Sequence, residues 1–380
     1  MTTLIDRIET AILDLPTIRG HVLSMTTMTA QSVVIVRVRF SDGSEGWGEG
    51  ASIGGLSYGA ESPESIALAI EAYAAPVLRG MDGDAVVAAT EAMERAVQGN
   101  PIARCAVETA LWDGLARRLG VPVAQLFGGP VRRALPVAWT LASGNAETDV
   151  LEAREMLERR RHAIFKLKIG KRPVREDLAH VAAIAEGLEG RASIRVDVNQ
   201  AWSLQDARWG LRGLQEIGVE LVEQPVRARA VRALKALADG HEIAVMADEA
   251  LQGPEDAMVV AADRAADAFA VKIGQSGGLR RASEVMAIAR GAGIDLYAGT
   301  MLEAGIGTAA ALQLFSTAPS LRWGTELFGP LLLTDEILKR PIEYRDFAVH
   351  LPEGPGIGVE IDPEALARFG RDGGRLRAAV

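Results

Sequence analysis

Two lysines at alternate positions of an otherwise apolar stretch, Lys166 and Lys168 in AIFKLKIG (163–170), are the first residues that could do chemistry. Side chains alternate faces along a strand, so the two ammonium groups project together while Phe165, Leu167 and Ile169 project the other way. Charged lysines are seldom buried without a partner, so the stretch needs either solvent or a task. Partners stand at the ends of the apolar stretches that follow. SIRVDVNQ puts Asp197 and Asn199 on one face, VELVEQ carries Glu223, and IAVMADE ends in Asp248 and Glu249. AFAVKIG carries Lys272 and LRWGTEL carries Glu326. Asp197, Glu223 and Asp248 are hard oxygen donors with no His or Cys at a neighbouring strand end, which suits Mg²⁺ or Mn²⁺ and not zinc. Any one of them alone would be read as pairing with a surface Arg or Lys. Their recurrence at the same place in three successive strands argues for a shared cation. Like charges held close depress each other's pKa, as desolvation does, and this is how a lysine becomes a base near neutral pH.

Residues at strand ends meet only if the strands are laid side by side. From about Leu135 a short apolar strand and an amphipathic helix alternate at a period of roughly 25 residues, as βα units do. The strands read VAWTL, IFKLKIG, SIRVDV, VELVEQ, IAVMADE, AFAVKIG, DLYAG and LRWGTEL. Eight in succession favour a (β/α) barrel, whose active site lies at the C-terminal ends of its strands. An open doubly wound sheet is the alternative, but no strand is followed by G-x-G-x-x-G opening a helix. In a barrel, Lys272 from the sixth strand faces Lys166 and Lys168 from the second. A metal-bound carboxylate substrate between them could gain or lose a proton at its α-carbon from either face.

The upstream part reads as an α+β lobe. SVVIVRVRF, the turn Ser41-Asp42-Gly43 and SEGWGEG spell a hairpin. Helical periodicity follows in PESIALAIEAYAAPVLRG, DAVVAATEAMERAVQ and IARCAVETALWDGLARRLG. Between hairpin and helices lies SIGGLSYGAES (52–62), a glycine-rich loop too long for a simple turn. After Leu327 the βα rhythm stops, and RDFAVHLPEGPGIGV reads as a closing segment that returns to the first lobe.

The 380 residues carry 41 Lys plus Arg against 50 Asp plus Glu, a net charge of −9 that argues against a nucleic-acid surface. The single cysteine, Cys105, cannot form an internal disulfide, which fits a reducing compartment. The N-terminal stretch has acids throughout and no apolar core of a signal peptide, and no apolar run approaches a membrane span, so the expected location is cytoplasmic.

The motifs PTIRGHVLSMTTM, SIGGLSYGAESPE, FKLKIG, IRVDVNQAW, VEQPV, MADEA, VKIGQSGG, YAGTMLEAGIGT and WGTELFGPLLLTDEI together resemble those of the muconate cycloisomerases, or muconate lactonizing enzymes, of the enolase superfamily. The resemblance covers nearly the whole chain. It implies a (β/α)7β barrel over 131–340 under an α+β capping domain built from 1–130 and completed by 341–380. It implies Mg²⁺ or Mn²⁺ held by Asp197, Glu223 and Asp248, with Lys168 and Lys272 as the acid/base pair. Lys166 and Asn199 would contact the substrate, and Glu326 matches the position of a proton donor. Because the resemblance lays the 52–62 loop over the barrel mouth, Ile53 and Tyr58 are expected to touch the distal end of a small carboxylate substrate. The implied assembly is a homo-oligomer, dimer or octamer. The implied reaction is cycloisomerisation of cis,cis-muconate, or a substituted muconate, to a muconolactone. The same lysines and metal could instead racemise or epimerise an N-acylamino acid or proline-type substrate, and a barrel kept only as a binding scaffold is the non-enzyme alternative.

Overall fold

The computed structural model describes residues 2–22 and 27–378, so Leu23–Thr26, in the middle of PTIRGHVLSMTTM, lies outside the described residues. The expected hairpin forms inside a longer antiparallel sheet. Strands β1 (Ile5–Val22), β2 (Thr27–Phe40) and β3 (Glu45–Ala51) pair in sequence order. Val33, Val34, Ile35, Val36 and Val38 of β2 are all buried, because β2 is paired on both sides and the helices cover it. The alternating glycines of SEGWGEG have a packing cause. A Cβ at Gly46 or Gly48 would lie 2.0 or 1.9 Å from a carbonyl oxygen of the helix Pro101–Leu119, so that helix rests directly on the β3 backbone.

The chain then passes through β4 (Ala134–Pro136) into seven parallel strands paired in sequence order. They are β5 (Trp139–Leu141), β6 (Ile164–Lys168), β7 (Ser193–Asp197), β8 (Leu221–Glu223), β9 (Ala244–Ala247), β10 (Ala268–Val271) and β11 (Asp295–Ala298). LRWGTEL, expected as the eighth strand, is reduced to one bridged residue. Thr325 pairs in parallel with both Ala298 and Val137 and so closes the ring. Gly324, at φ 67, turns the backbone left-handed just before it, which an extended strand does not permit. Leu221, Met246, Ala268, Ala270, Tyr297 and Trp323 form a separate cluster in the barrel interior.

The closing segment reaches both β4 and the first lobe. Strands β12 (Tyr344–Arg345) and β13 (Ala348–His350) form a sheet with β4, and β14 (Arg377–Ala378) pairs with β1. Ile357 N–H donates to Asp113 Oδ1 at 2.8 Å, tying GPGIG to the helix Pro101–Leu119.

Buried carboxylates join the upstream lobe to the barrel. Glu49 on β3 accepts from the backbone N–H groups of Ala304 and Gly307, both at 2.7 Å, at the start of the helix Gly305–Phe315. Glu108 accepts from Arg280 N–H at 3.3 Å at the start of the helix Leu279–Ala292. Helix N-termini offer free N–H groups and positive potential to such acids. Burial still dominates, pushing Glu49 up to about 8 and Glu108 up to about 7. A third acid, Glu61, accepts from Ile102 and Ala103 N–H at 2.8 and 3.2 Å and so pins the downstream end of the 52–62 loop. Gly278 has φ 140, and a Cβ there would lie 1.8 Å from Glu108 Oε2. Gly278→Ala should therefore cost about 2–3 kcal/mol in a urea unfolding titration. An unchanged midpoint would mean that this junction yields without strain. Among the described residues no helix is long and apolar enough to cross a membrane.

Candidate active site

The C-terminal ends of the barrel strands bring the sequence candidates together. Lys168, Asp197 and Glu223 are register neighbours across β6, β7 and β8. Asp248 follows the last residue of β9, Lys272 follows the last residue of β10, and Glu326 follows Thr325. In a ring of eight positions the second and sixth are opposite, so Lys168 and Lys272 approach from opposite sides. From above, the 52–62 loop brings down Ile53 and Tyr58 through a 3₁₀ turn at Gly55–Ser57. Both line the same tight cavity, of about 20 Å³, with Lys166, Lys168, Asn199, Glu223, Asp248, Lys272 and Glu326. A wider depression at the N-terminal mouth of the barrel, bordered by Glu242, Asp267 and Arg322, holds none of these groups.

Each expected cation ligand is bonded to a lysine. Lys166 Nζ lies 2.9 Å from Glu223 Oε2, 2.5 Å from Glu326 Oε2 and 3.5 Å from Asp197 Oδ2. Lys168 Nζ donates to Asp197 Oδ2 at 2.6 Å and to Asn199 Oδ1 at 3.4 Å. Lys272 Nζ donates to Asp248 Oδ2 at 2.7 Å and to the Tyr58 hydroxyl at 2.9 Å. Tyr58 in turn donates to Asp248 Oδ2 at 3.2 Å. With the ammonium groups in place, no three acids among the described residues stand together as a ready cation cage.

The electrostatics correct one expectation. Burial alone would lower Lys166, but Glu223 and Glu326 outweigh it and hold its pKa well above the usual lysine range. Lys272 is raised in the same way, its burial outweighed by Asp248 and Glu223. The mutual depression expected for the lysine pair is absent at Lys166 because carboxylates, and not Lys168, are its nearest neighbours. Burial is also opposed at Asp197, which Lys168 and Lys166 hold below the usual carboxylate range. Glu223 is pushed well up, first by burial and then by Asp197. Glu249 is pushed up to about 7 by burial and by Asp248.

These residues fit a hard divalent cation. Five carboxylates, of Asp197, Glu223, Asp248, Glu249 and Glu326, gather with three ammonium groups, a formal balance of 3 − 5 = −2. Asp248 Oδ1 and Glu249 Oε2 are buried acceptors with no donor among the described residues, which native interiors rarely leave uncompensated. The donors are all oxygen, as Mg²⁺ and Mn²⁺ prefer.

Thr140, Thr300, Leu302 and Phe328 also line the cavity and were not singled out from the sequence. Thr140 was legible in principle, since it faces inward near the end of VAWTL, and its hydroxyl donates to Glu326 Oε1 at 3.1 Å. Leu302 had no signal, because its place depends on a left-handed φ of 58. The Tyr58 hydroxyl lies on Lys272 and Asp248, contacts that the loop sequence did not announce. Substituting Ile53 or Tyr58 should change relative kcat/KM among small carboxylate substrates more than thermal stability. The reverse pattern would reduce both to loop packing.

Comparison with known proteins agrees with this layout. Residues 7–128 match the family described as mandelate racemase / muconate lactonizing enzyme, N-terminal domain, and residues 149–365 match enolase C-terminal domain-like. Muconate cycloisomerase 1-2 of Acinetobacter lwoffii is 53% identical over 368 residues, 97% of this chain and 96% of that protein. The chloromuconate cycloisomerase of Cupriavidus pinatubonensis is 46% identical over 97% of this chain and 99% of its own length. The crystal structure of a Pseudomonas fluorescens muconate lactonizing enzyme complexed with muconolactone superposes with a TM-score of 0.96 at 49% identity, covering 98% of this chain and all of that one. With lysines on opposite sides of a ring of acids, and with likeness of this extent at both ends of the chain, the protein belongs to the muconate cycloisomerase family of the enolase superfamily.

Proposed function

We propose that this enzyme converts cis,cis-muconate, or a substituted muconate, to a muconolactone. The observation that carries the reading is the convergence of Lys168 and Lys272 from opposite sides on one acid-lined cavity, in a chain 49% identical to a lactonizing enzyme complexed with muconolactone. Divalent-metal dependence goes with membership of the family. Asp197, Glu223 and Asp248 would hold the ion, which we take to be Mg²⁺ or Mn²⁺. When bound, it supplies positive charge where a substrate carboxylate becomes an enolate.

In the reaction one substrate carboxylate oxygen adds to a carbon of the diene, and the electron pair of that double bond moves to the carbon α to the other carboxylate. Lys168 gives that carbon a proton and regains one from solvent, so the dianionic substrate becomes a monoanionic lactone with the uptake of one proton. Lys168 suits the part because its side chain is the least buried of the three lysines, at 17% exposure, and is free to swing from Asp197 to the substrate. Lys272, on the far side, places an ammonium beside the developing charge. Lys166, held between Glu223 and Glu326, is placed to contact a substrate carboxylate, and Asn199 to contact the substrate beside Lys168. Glu326, which holds Lys166 and accepts from Thr140, is assigned to proton handling by resemblance.

Lactonisation breaks the conjugated diene, so purified protein supplied with Mn²⁺ should bleach the ultraviolet absorbance of cis,cis-muconate. Unchanged absorbance with folded protein would remove muconate as the substrate. The division into a cap (1–130 with 341–380) and a barrel (131–340), assembly as a dimer or octamer, and a cytoplasmic location complete the proposal.

A further inference from the structure

Glu249 takes no part in the reaction proposed above, yet its carboxylate turns into the same cluster. Its Oε1 accepts from Asn199 Nδ2 at 3.2 Å, and its Oε2 is buried without a partner. The Asn199 amide is gripped at both ends. Nδ2 also donates to Asp197 Oδ2 at 3.3 Å, while Oδ1 accepts from Lys168 Nζ at 3.4 Å. With carboxylates at one end and an ammonium at the other, only one of its two flips satisfies every group. The backbone is committed as well. Asn199 has φ 43, in the left-handed region, and its N–H donates to Asp197 Oδ1 at 2.9 Å.

We propose that Glu249 is a positioning residue for the cation site, fixing the Asn199 amide against Asp197 and Lys168 and supplying the charge that brings the cluster to −2. Without that carboxylate the formal balance is −1, and the Asn199 NH₂ loses one of its two carboxylate acceptors, leaving Asp197 alone to hold it. The orphaned oxygens of Asp248 and Glu249 belong to adjacent residues, and a hydrated cation held by Asp248 would give both a partner. The inference rests on the metal-dependent reading of this site, and its effect is read without substrate.

The test is a calorimetric titration of chelator-stripped, full-length protein with MnCl₂. Glu249→Gln keeps the shape and removes the charge, and should weaken Mn²⁺ binding by about fivefold or more. Glu249→Asp restores the charge and should bind within about twofold of the wild type. Wild-type affinity in Glu249→Gln, or an affinity in Glu249→Asp no better than in Glu249→Gln, would overturn the proposal. Should Glu249→Gln not fold, Glu249→Ala, which removes the same charge and the same tie to Asn199, takes its place. Weaker Mn²⁺ binding there supports the proposal and unchanged binding overturns it. Failure of the wild type to consume muconate would overturn the proposed reaction and leave the Mn²⁺ comparison standing.

Discussion

Lys168→Ala should lower kcat for muconate by at least about 10²- to 10⁴-fold, the contribution typical of a positioned general acid. Lys168 reaches the cavity from the second strand, and among the described residues lining it the other ammonium on that side is Lys166, which Glu223 and Glu326 hold. Alanine leaves Asp197 without its 2.6 Å partner, so the variant is to be compared at saturating Mn²⁺, where the ion replaces the lost charge. Turnover in D₂O makes the assignment sharper. A cycloisomerase protonates the enolate once, from the side of its acid, and the wild type should carry one deuterium on one face of the lactone. Deuterium on both faces would favour the racemase or epimerase alternative. Lys272→Ala should also slow turnover, because an ammonium beside the enolate stabilises it without transferring a proton. If Lys168→Ala kept stereospecific deuteration while Lys272→Ala lost it, the acid would be Lys272 and the two faces would be exchanged.

Asp248→Asn should lower metal affinity and turnover together. Loss of even an outer hydrogen-bond partner of a metal ligand typically costs about 10- to 100-fold in affinity or activity, and loss of a ligand's charge should cost at least as much. Asp248 is fully buried, with one oxygen on Lys272 and Tyr58 and the other without a donor. An amide there keeps the size but puts an NH₂ where the cluster offers either an ammonium or a cation. Turnover of the variant should recover in part as Mn²⁺ is raised. Full activity of the variant after dialysis against a chelator would remove Asp248 from the metal site.

Much of this site could be read before the fold was known. Lys166 and Lys168 stand out because strand alternation makes two charges in an apolar run a conspicuous exception. Asp197, Glu223 and Asp248 stand out because βα units deliver each strand end to the same rim. What escaped depends on contacts distant in sequence. The eighth strand shrank to Thr325 because Gly324 turns left-handed just before it, and the closure itself rests on pairing with Val137 and Ala298. The raised pKa of Lys166 reflects Glu223 and Glu326, which lie 57 and 160 residues away. Tyr58 reaches Lys272 across 214 residues, and the loop sequence fixes only that the chain there is irregular.

The carboxylates seated on helix N-termini bear on how such enzymes can be recombined. Glu49 and Glu61 bracket the loop that holds Ile53 and Tyr58, one anchored on a barrel helix and the other on the helix Pro101–Leu119. A chimera joined outside this bracket would have to match foreign acids to the N–H groups of Ala304, Gly307, Ile102 and Ala103. A graft confined to residues 52–60 leaves both anchors native and exchanges only the loop surface that lines the cavity. The segment is thus a modular cassette, and transplanting it between relatives should carry substrate preference with it while the barrel's chemistry stays behind.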